Sequence, residues 1–371
     1  MKGIIFNKIN NVFSRINYPI LAVILVFTIG IITLFINPIV GMADNGDFYR
    51  IINQNNIYHL NKDYSDVYFG YFNKDYGIYQ YNNDSAKMII STQSIFIQIA
   101  LFLNNLFRKD YIFDIRFMAA IFLVIHAIAS YFIIKVLTNK LTCWKYKMII
   151  TLSFIFIFCD TGYLAYYNSF FGEAVNTCCF LIAIGILLYA IEFNKLNFLF
   201  LSLFGLFSFL FFGAKQQLAP VGILIAFIFI QIGILKSKKA LKYFCFLSSI
   251  FFIVSAGIFY KSIEGDFIYS NTYHAMNRGM LLYEDDPDKV LGQFNINNQY
   301  SLLQGTNFFE GVPLIDPKDE SLIEDYYKKY PLGKVLIYYA KNPSAFTKVI
   351  RFGFKNAYSI RPKVMGNFEK S

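Results

Sequence analysis

Long stretches without a charged side chain constrain this sequence more than any other feature. Residues 16–43 carry no charge over 28 positions, and seven further uncharged stretches follow: 88–107, 117–134, 148–159, 174–191, 196–214, 216–235 and 243–260. A transmembrane helix needs about 20 apolar residues, and helices satisfy their backbone hydrogen bonds internally inside a bilayer. Charged residues make up only 16% of the chain, against about 25% in a soluble domain. The sequence therefore predicts an all-α fold, a polytopic membrane helical bundle.

The net charge of +10 would favour nucleic-acid binding in a soluble protein. Here the lysines cluster in short loops between apolar stretches, where they set the orientation of membrane helices. We therefore expect no nucleic-acid partner. The five cysteines form no CxxC pair and the three histidines lie far apart, so the sequence carries no cysteine or histidine metal motif.

The charge of the loops decides how many stretches cross. Three basic residues precede the first stretch and place the N-terminus in the cytoplasm: Lys2, Lys8 and Arg15. If all eight stretches cross, the lysine-rich loops at 140–147 and 236–242 lie outside, against the tendency of such loops to stay inside. If 88–107 lies on the outer surface instead, both loops move inside. Four polar residues of 88–107 share one face at helical spacing, as in an amphipathic surface helix: Ser91, Ser94, Gln98 and Asn105.

We therefore predict seven spans. Residues 1–260 form the transmembrane module, with a catalytic outer loop at 44–116 and a second outer loop at 160–173. Residues 261–371 form a small extracytoplasmic helical region that rests on the membrane. The chain stops at GNFEKS without a final anchor, so we expect it to be a shortened form of a longer protein. All the polar segments reach the same outer face in this arrangement.

The motif DNGDFYR at 44–50 directly follows the first uncharged stretch. Asp44 and Asp47 are three positions apart, and two carboxylates close together raise the pKa of one of them, so that it can act as a base. They also suit a hard divalent cation. A plainer interpretation makes Asp44 a helix cap and Asp47 a first-turn residue. Asn45 and Arg50 are the substrate-binding candidates of this motif.

Further candidates lie in the other predicted outer segments. Glu173 ends the aromatic stretch YLAYYNSFFG, and a carboxylate at the edge of a membrane cavity is costly unless it is paired or functional. Asn168 precedes it and is a candidate for orienting it or binding substrate. Lys215, with Gln217 beside it, suits an anionic group such as a phosphate, although a lysine that reaches toward the interface would also fit. Arg278, in NTYHAMNRGML, is a further phosphate candidate.

A carboxylate cluster beside a phosphate site at a membrane surface suggests transfer of a sugar from a polyprenyl phosphate. The carboxylate would deprotonate an acceptor hydroxyl, and the cation would stabilise the departing lipid phosphate. DNGDF, YYNSFFGE and the late GNFEK resemble the GT-C superfamily of integral-membrane glycosyltransferases, and more narrowly the bacterial hexosyltransferases of surface glycans.

The resemblance implies a seven-span module with surface helices in the first outer loop and an essential acidic residue just after span 1, where DNGDFYR lies. It also implies a second acidic position after span 3, at Glu173 or Asp160. We expect a bacterial plasma-membrane protein with a cytoplasmic N-terminus, an extracytoplasmic site, a polyprenyl-phosphate sugar donor and a glycan acceptor. No cofactor is certain, and Mg²⁺ or Mn²⁺ bound by Asp44, Asp47 and Glu173 stays an alternative. A lipid-linked glycan flippase and a glycan polymerase are the competing functions.

Overall fold

A computed structural model describes residues 10, 12–81, 89–235, 238–262, 265–357 and 359–370. Lys2, Lys8 and Lys236, which entered the predicted orientation, lie outside these residues. Helices take 66% of the chain and strands 3%, which confirms the all-α class. The chain divides into two compact units: unit 1 is Met1–Ser262 with Arg361–Ser371, and unit 2 is Ile263–Ile360.

Besides the helical residues 12–14 and short 3₁₀ turns, the described part of unit 1 contains eleven α-helices and three short strands. In chain order they are α1 Tyr18–Phe35, α2 Tyr49–Ile52, β1 Ile57–His59, α3 Tyr64–Val67, β2 Asp75–Ile78, α4 Gln93–Phe107, β3 Ile112–Asp114, α5 Arg116–Asn139, α6 Trp144–Phe158, α7 Thr161–Leu164, α8 Glu173–Glu192, α9 Phe198–Phe212, α10 Val221–Leu235 and α11 Lys239–Lys261. Helix α5 packs against α1 and α8, α9 packs against α8, and α10 pairs with α11. Small residues allow this close packing, as in other membrane bundles: a Cβ at Gly30 would lie 2.3 Å from the Leu123 side chain.

Among the residues that the structure describes, four helices are long and apolar enough to cross a membrane: α1, α5, α8 and α11. Helix α6 and the segment Thr161–Asn168 are bent by 47° and make a fifth candidate if they form one span. Helices α9 and α10 have 15 residues each, or about 22 Å at 1.5 Å per residue. The long apolar helices confirm a polytopic membrane protein, while the count of seven membrane spans stays a prediction.

Side-chain contacts show which helix ends lie together at each end of unit 1. At one end, Asn139 and Lys140 bind Glu192 at 3.0 and 3.1 Å, and Trp144 donates to Asn10 at 2.9 Å. These contacts connect the chain before α1, the start of α6 and the final residues of α5 and α8. At the opposite end of unit 1, the 160–173 segment and Glu173 contact both the DNGD loop and the turn after α9.

The loop between α1 and α5 contains a small antiparallel sheet in the order β1-β2-β3, which the sequence reasoning missed. His59 pairs with Tyr76 in this sheet. Helix α4 follows, and it turns polar side chains toward the protein: Ser94 accepts from Gln54 at 2.9 Å, and Gln98 donates to Asn55 at 2.8 Å. Apolar side chains of α4 are exposed instead, among them Ile95, Ile99, Phe102 and Leu106. A helix whose apolar face meets lipid has this arrangement.

Unit 2 has its own small core, rich in tyrosine. Its helices are α12 Gly265–His274, α13 Pro287–Gly292, α14 Glu320–Asp325, α15 Leu332–Lys341 and α16 Pro343–Asn356. The buried Tyr326 hydroxyl donates to Asn277 Oδ1, and its ring packs against Tyr300 and Tyr330 at centroid distances of 5.0 and 5.2 Å. Aromatic packing thus organises a unit that has few long helices.

Candidate active site

Asp44 is held inside the DNGD loop by its own neighbours. Its Oδ1 atom accepts from the backbone N–H groups of Gly46 at 2.7 Å and Phe48 at 3.1 Å. Gly46 has a φ of 96°, which glycine adopts without a steric penalty. The other oxygen, Oδ2, lies 3.1 Å from His59 Nε2. The Asp44 side chain is only 1% exposed, so the loop fixes the carboxylate and closes it off from solvent.

Asp47 has different surroundings from Asp44. Its carboxylate pairs with Arg50 and accepts from Asn45 Nδ2 at 3.2 Å, and the side chain is 46% exposed. The regular helix begins only at Tyr49. Asp44 and Asp47 therefore do not lie together on a helix face, as their spacing had suggested. Asp44 faces the interior, while Asp47, Asn45 and Arg50 form an outer polar cluster.

Two tyrosines surround the Asp44 carboxylate. The backbone of Asp44 forms a parallel bridge with Tyr68, and Tyr76 lies on strand β2. Burial raises the pKa of both phenols, and the nearby charge of Asp44 raises it further. Both hydroxyls therefore stay neutral around Asp44 at physiological pH.

The aromatic motif YYNSFFGE packs directly on the DNGD loop. The ring of Phe48 meets Phe170 and Phe171 at centroid distances of 5.5 and 4.7 Å. Asn168 is completely buried, and its amide donates to the carbonyls of Leu34 and Val40 at 3.1 and 2.8 Å. Asn168 thus connects this motif to the chain that leaves α1.

The late motif GNFEK completes the same region, because residues 361–371 belong to unit 1. The N–H groups of Gly41 and Ala43 donate to the carbonyls of Asn367 and Gly366, each at 2.9 Å. The Asn367 amide returns a bond to the Gly41 carbonyl at 2.8 Å. Three motifs that are far apart in the sequence therefore meet beside Asp44.

Glu173 and Lys215 form an ion pair at 2.5 Å, with side chains 36% and 34% exposed. The Oε2 atom of Glu173 is buried and has no hydrogen-bond partner among the described residues. Lys215 also lies against Gly172, where a Cβ would meet its side chain at 3.2 Å. Gln93 donates to the Phe170 carbonyl at 2.5 Å. The SFFG segment at 169–172 thus contacts both the DNGD loop and the Glu173–Lys215 pair.

The other predicted residues have more varied positions. Gln217 is exposed in the short 3₁₀ helix Gln216–Leu218. Arg278 is exposed in unit 2, within the π-helical Ala275–Met280, so its membership of this site stays a prediction. Asp160, the alternative to Glu173, caps α7 by accepting from Gly162 N–H at 2.7 Å. Within the described ranges, no group of three His, Cys, Asp or Glu side chains is placed to hold a metal ion.

His59 is the site residue that the sequence analysis missed. It lies 15 positions from Asp44 in a polar segment without a recognisable motif. The pairing of β1 with β2 places its ring beside Tyr76 and Tyr68, at centroid distances of 5.3 and 6.0 Å. The one signal in the sequence was that His59 follows the apolar Ile57 by two positions, which places both side chains on one face of a strand.

A comparison with known families gives one match. The sequence profile described as the YfdI N-terminal transmembrane domain matches residues 6–371. This range covers nearly the whole chain, including unit 2 and the GNFEK motif. Searches among curated proteins and among solved structures find no match.

Proposed function

The chain belongs to the YfdI N-terminal transmembrane domain family, and from that premise we propose that it is an integral-membrane glycosyltransferase of the GT-C type. It transfers a hexose from a polyprenyl-phosphate donor to a cell-surface glycan or a lipid-linked acceptor. The glycosyltransferase-like character of the family supports this proposal. We place the protein in the bacterial plasma membrane, with a cytoplasmic N-terminus and an extracytoplasmic site.

The convergence of three motifs on Asp44 is the observation that carries the proposal. Residues 41–48, 168–173 and 366–367 are joined by backbone hydrogen bonds and ring contacts. Burying a carboxylate is costly unless hydrogen bonds compensate, and the fold supplies those bonds to Asp44. Its position at the end of a membrane bundle is where a lipid-linked phosphate and a polar acceptor can meet.

In the proposed reaction, the carboxylate of Asp44, Asp47 or Glu173 removes the proton of an acceptor hydroxyl. Lys215 stabilises the lipid phosphate as it departs, and its pairing with Glu173 fixes the position of the ammonium group. Asn45, Arg50 and Gln217 contact donor or acceptor. The Asn168 amide is occupied by two backbone carbonyls, so Asn168 supports the loop in this proposal. Mg²⁺ or Mn²⁺ stays an alternative means of holding the phosphate.

A transfer assay with a panel of polyprenyl-phosphate hexoses tests this function. The purified chain in liposomes should transfer one hexose to a glycan acceptor, and the reaction is run with and without a chelator. Asp44→Ala, Asp47→Ala and Glu173→Ala should each lower transfer by at least about 100-fold if the side chain takes part in proton transfer. Lys289→Ala, an exposed position in unit 2, is the matched control. Full transfer by all three acidic variants would refute the site, and movement of lipid-linked sugar across vesicles without transfer would favour a flippase.

A further inference from the structure

Asp44 is poorly placed to receive a proton from an acceptor hydroxyl. One of its oxygens accepts from two backbone N–H groups, and the other faces His59. The Asp44 side chain is 1% exposed, whereas that of His59 is 14% exposed. A hydroxyl that approaches this end of the bundle can therefore reach the imidazole more easily than the carboxylate.

The contact with Asp44 determines which nitrogen of His59 is basic. An ionised carboxylate only accepts hydrogen bonds, so the Nε2 atom that faces it carries the hydrogen. The opposite nitrogen, Nδ1, then has a free lone pair. Within the part of the chain that the structure describes, no hydrogen bond engages Nδ1. The titratable groups that contact the ring are Asp44, Tyr68 and Tyr76, and the two phenols are neutral around neutral pH.

We propose that His59 is the catalytic base of the transfer reaction and that Asp44 is its positioning residue; this inference rests on the proposed glycosyltransferase function. The acceptor O–H gives its proton to His59 Nδ1 while its oxygen forms a bond to the anomeric carbon of the donor sugar. The bond from that carbon to the phosphate oxygen breaks, and the electron pair leaves with the polyprenyl phosphate. Asp44 stabilises the resulting imidazolium, which later releases its proton to solvent. The pattern is that of a carboxylate that orients and stabilises a histidine base.

The test compares His59→Gln, Asp44→Asn and the double variant in the transfer assay, with His274→Gln as the control. His274 makes a local bond to Asn307 in unit 2 at 2.9 Å, so its variant should transfer at the wild-type rate. His59→Gln should lower kcat by about 100- to 10,000-fold, the usual range for loss of a general base. Because paired groups act as a unit, the double variant should be no slower than the slower single variant.

Two further measurements separate a base from a structural histidine. Added imidazole should restore part of the rate of His59→Ala and none of the rate of Asp44→Asn. The fall in rate at acidic pH that a protonated base causes should be absent from the residual activity of His59→Gln. Size-exclusion profiles identify any variant that fails to fold.

The outcomes distinguish this inference from the function on which it rests. If the wild type transfers no hexose from any donor, both the function and the role of His59 are refuted. If the wild type transfers hexose and His59→Gln keeps its full rate and pH profile, only the His59 inference is overturned, and Asp44, Asp47 or Glu173 acts directly. If His59→Gln is folded and inactive but His59→Ala gains nothing from imidazole, the histidine is structural.

Discussion

Asn168 shows how a single buried amide can hold the candidate site together. Replacing it by alanine leaves the carbonyls of Leu34 and Val40 without their donor. A buried polar group left unpaired costs about 1–3 kcal/mol. We therefore expect Asn168→Ala to lower the midpoint of thermal unfolding in detergent and to reduce transfer along with it.

The control for Asn168 is an exposed amide with a comparable local bond. Asn356 donates to the Phe352 carbonyl at 3.0 Å, and water can replace that donor. Asn356→Ala should leave the midpoint unchanged. Equal stability of the two variants would show that the Asn168 bonds do not hold the loop.

Individual charged residues were more predictable than their partners. Asp44, Glu173 and Lys215 stand out because ionised groups next to apolar stretches are costly. The contact of Asp44 with His59 was not predictable in the same way, since it depends on the pairing of a three-residue strand with a four-residue strand. The Glu173–Lys215 pair joins positions 42 residues apart, and no local pattern in the sequence links them.

The GNFEK segment is the element whose position depends most on a glycine. A Cβ at Gly366 would lie 2.0 Å from the Gly70 carbonyl oxygen, a backbone atom that cannot turn away. Gly366→Ala should therefore displace the segment from residues 41–43 and 69–72, at a cost of about 1–3 kcal/mol or more. Hydrogen exchange at the Gly41 and Ala43 amides should become faster.

Gly353 provides the matched substitution for Gly366. A Cβ at Gly353 meets nothing within 4 Å, so Gly353→Ala adds the same methyl group without a clash. It should leave exchange at residues 41–43 as in the wild type. Unchanged exchange in Gly366→Ala would contradict the placement of GNFEK against the DNGD loop.

Helix α16 is amphipathic with its apolar side chains exposed. Phe346, Ile350 and Phe354 follow at intervals of four residues and are exposed. Lys348 and Lys355 are two helical turns apart, so they share a face with each other. That face lies opposite the three apolar side chains. A basic amphipathic helix of this kind binds the surface of a membrane with anionic lipids. We expect the apolar face of α16 to enter the bilayer interface.

Tryptophan fluorescence can test the position of α16, because the chain has a single tryptophan, Trp144. In a Trp144→Phe background, Phe354→Trp should be quenched by brominated phospholipids in liposomes that contain anionic lipid. Lys355→Trp, one residue along on the polar face, should be quenched much less. Equal quenching at both positions would show that the helix does not lie with its apolar face in lipid.

The long helices were largely predictable from the sequence, whereas the short strands were not. The uncharged stretches locate the long helices because helical spans must be continuous and apolar. Strands of three or four residues, such as β1 and β3, are too short to show a reliable alternation. The sequence indicated an amphipathic α4, but its polar face binds Gln54 and Asn55 rather than solvent. That orientation depends on contacts with the folded loop, which the sequence pattern does not show.

For the whole molecule, helix length and loop charge lead to different numbers of membrane spans. Helix length supports four spans, or five with the bent α6 segment, whereas loop charge favours seven. Helices α9 and α10 cause part of this difference, because about 22 Å of helix is less than the roughly 30 Å of hydrocarbon in a bilayer. Local thinning of the bilayer or extension by flanking residues can accommodate such helices. Sidedness must therefore be measured at the loops.

Cys143 is a natural reporter of sidedness. It is the one cysteine that is not buried, and it lies between α5 and α6 beside the lysine-rich loop. Seven spans place Cys143 in the cytoplasm and the 44–116 loop outside, whereas eight spans place both Cys143 and residues 44–87 outside. In intact cells, a membrane-impermeant maleimide should therefore leave Cys143 unlabelled until the membrane is permeabilised.

A second position supplies the comparison for Cys143. Tyr64 is 70% exposed in the 44–116 loop, so Tyr64→Cys in a Cys143→Ala background should be labelled in intact cells. The pair separates the two arrangements, because only the seven-span arrangement gives opposite results at the two positions. Labelling of both from outside would restore α4 as a transmembrane span. It would also move the Glu173–Lys215 pair to the cytoplasmic side, since one more crossing then separates the pair from the DNGD loop, and the DNGD loop could not share a face with it.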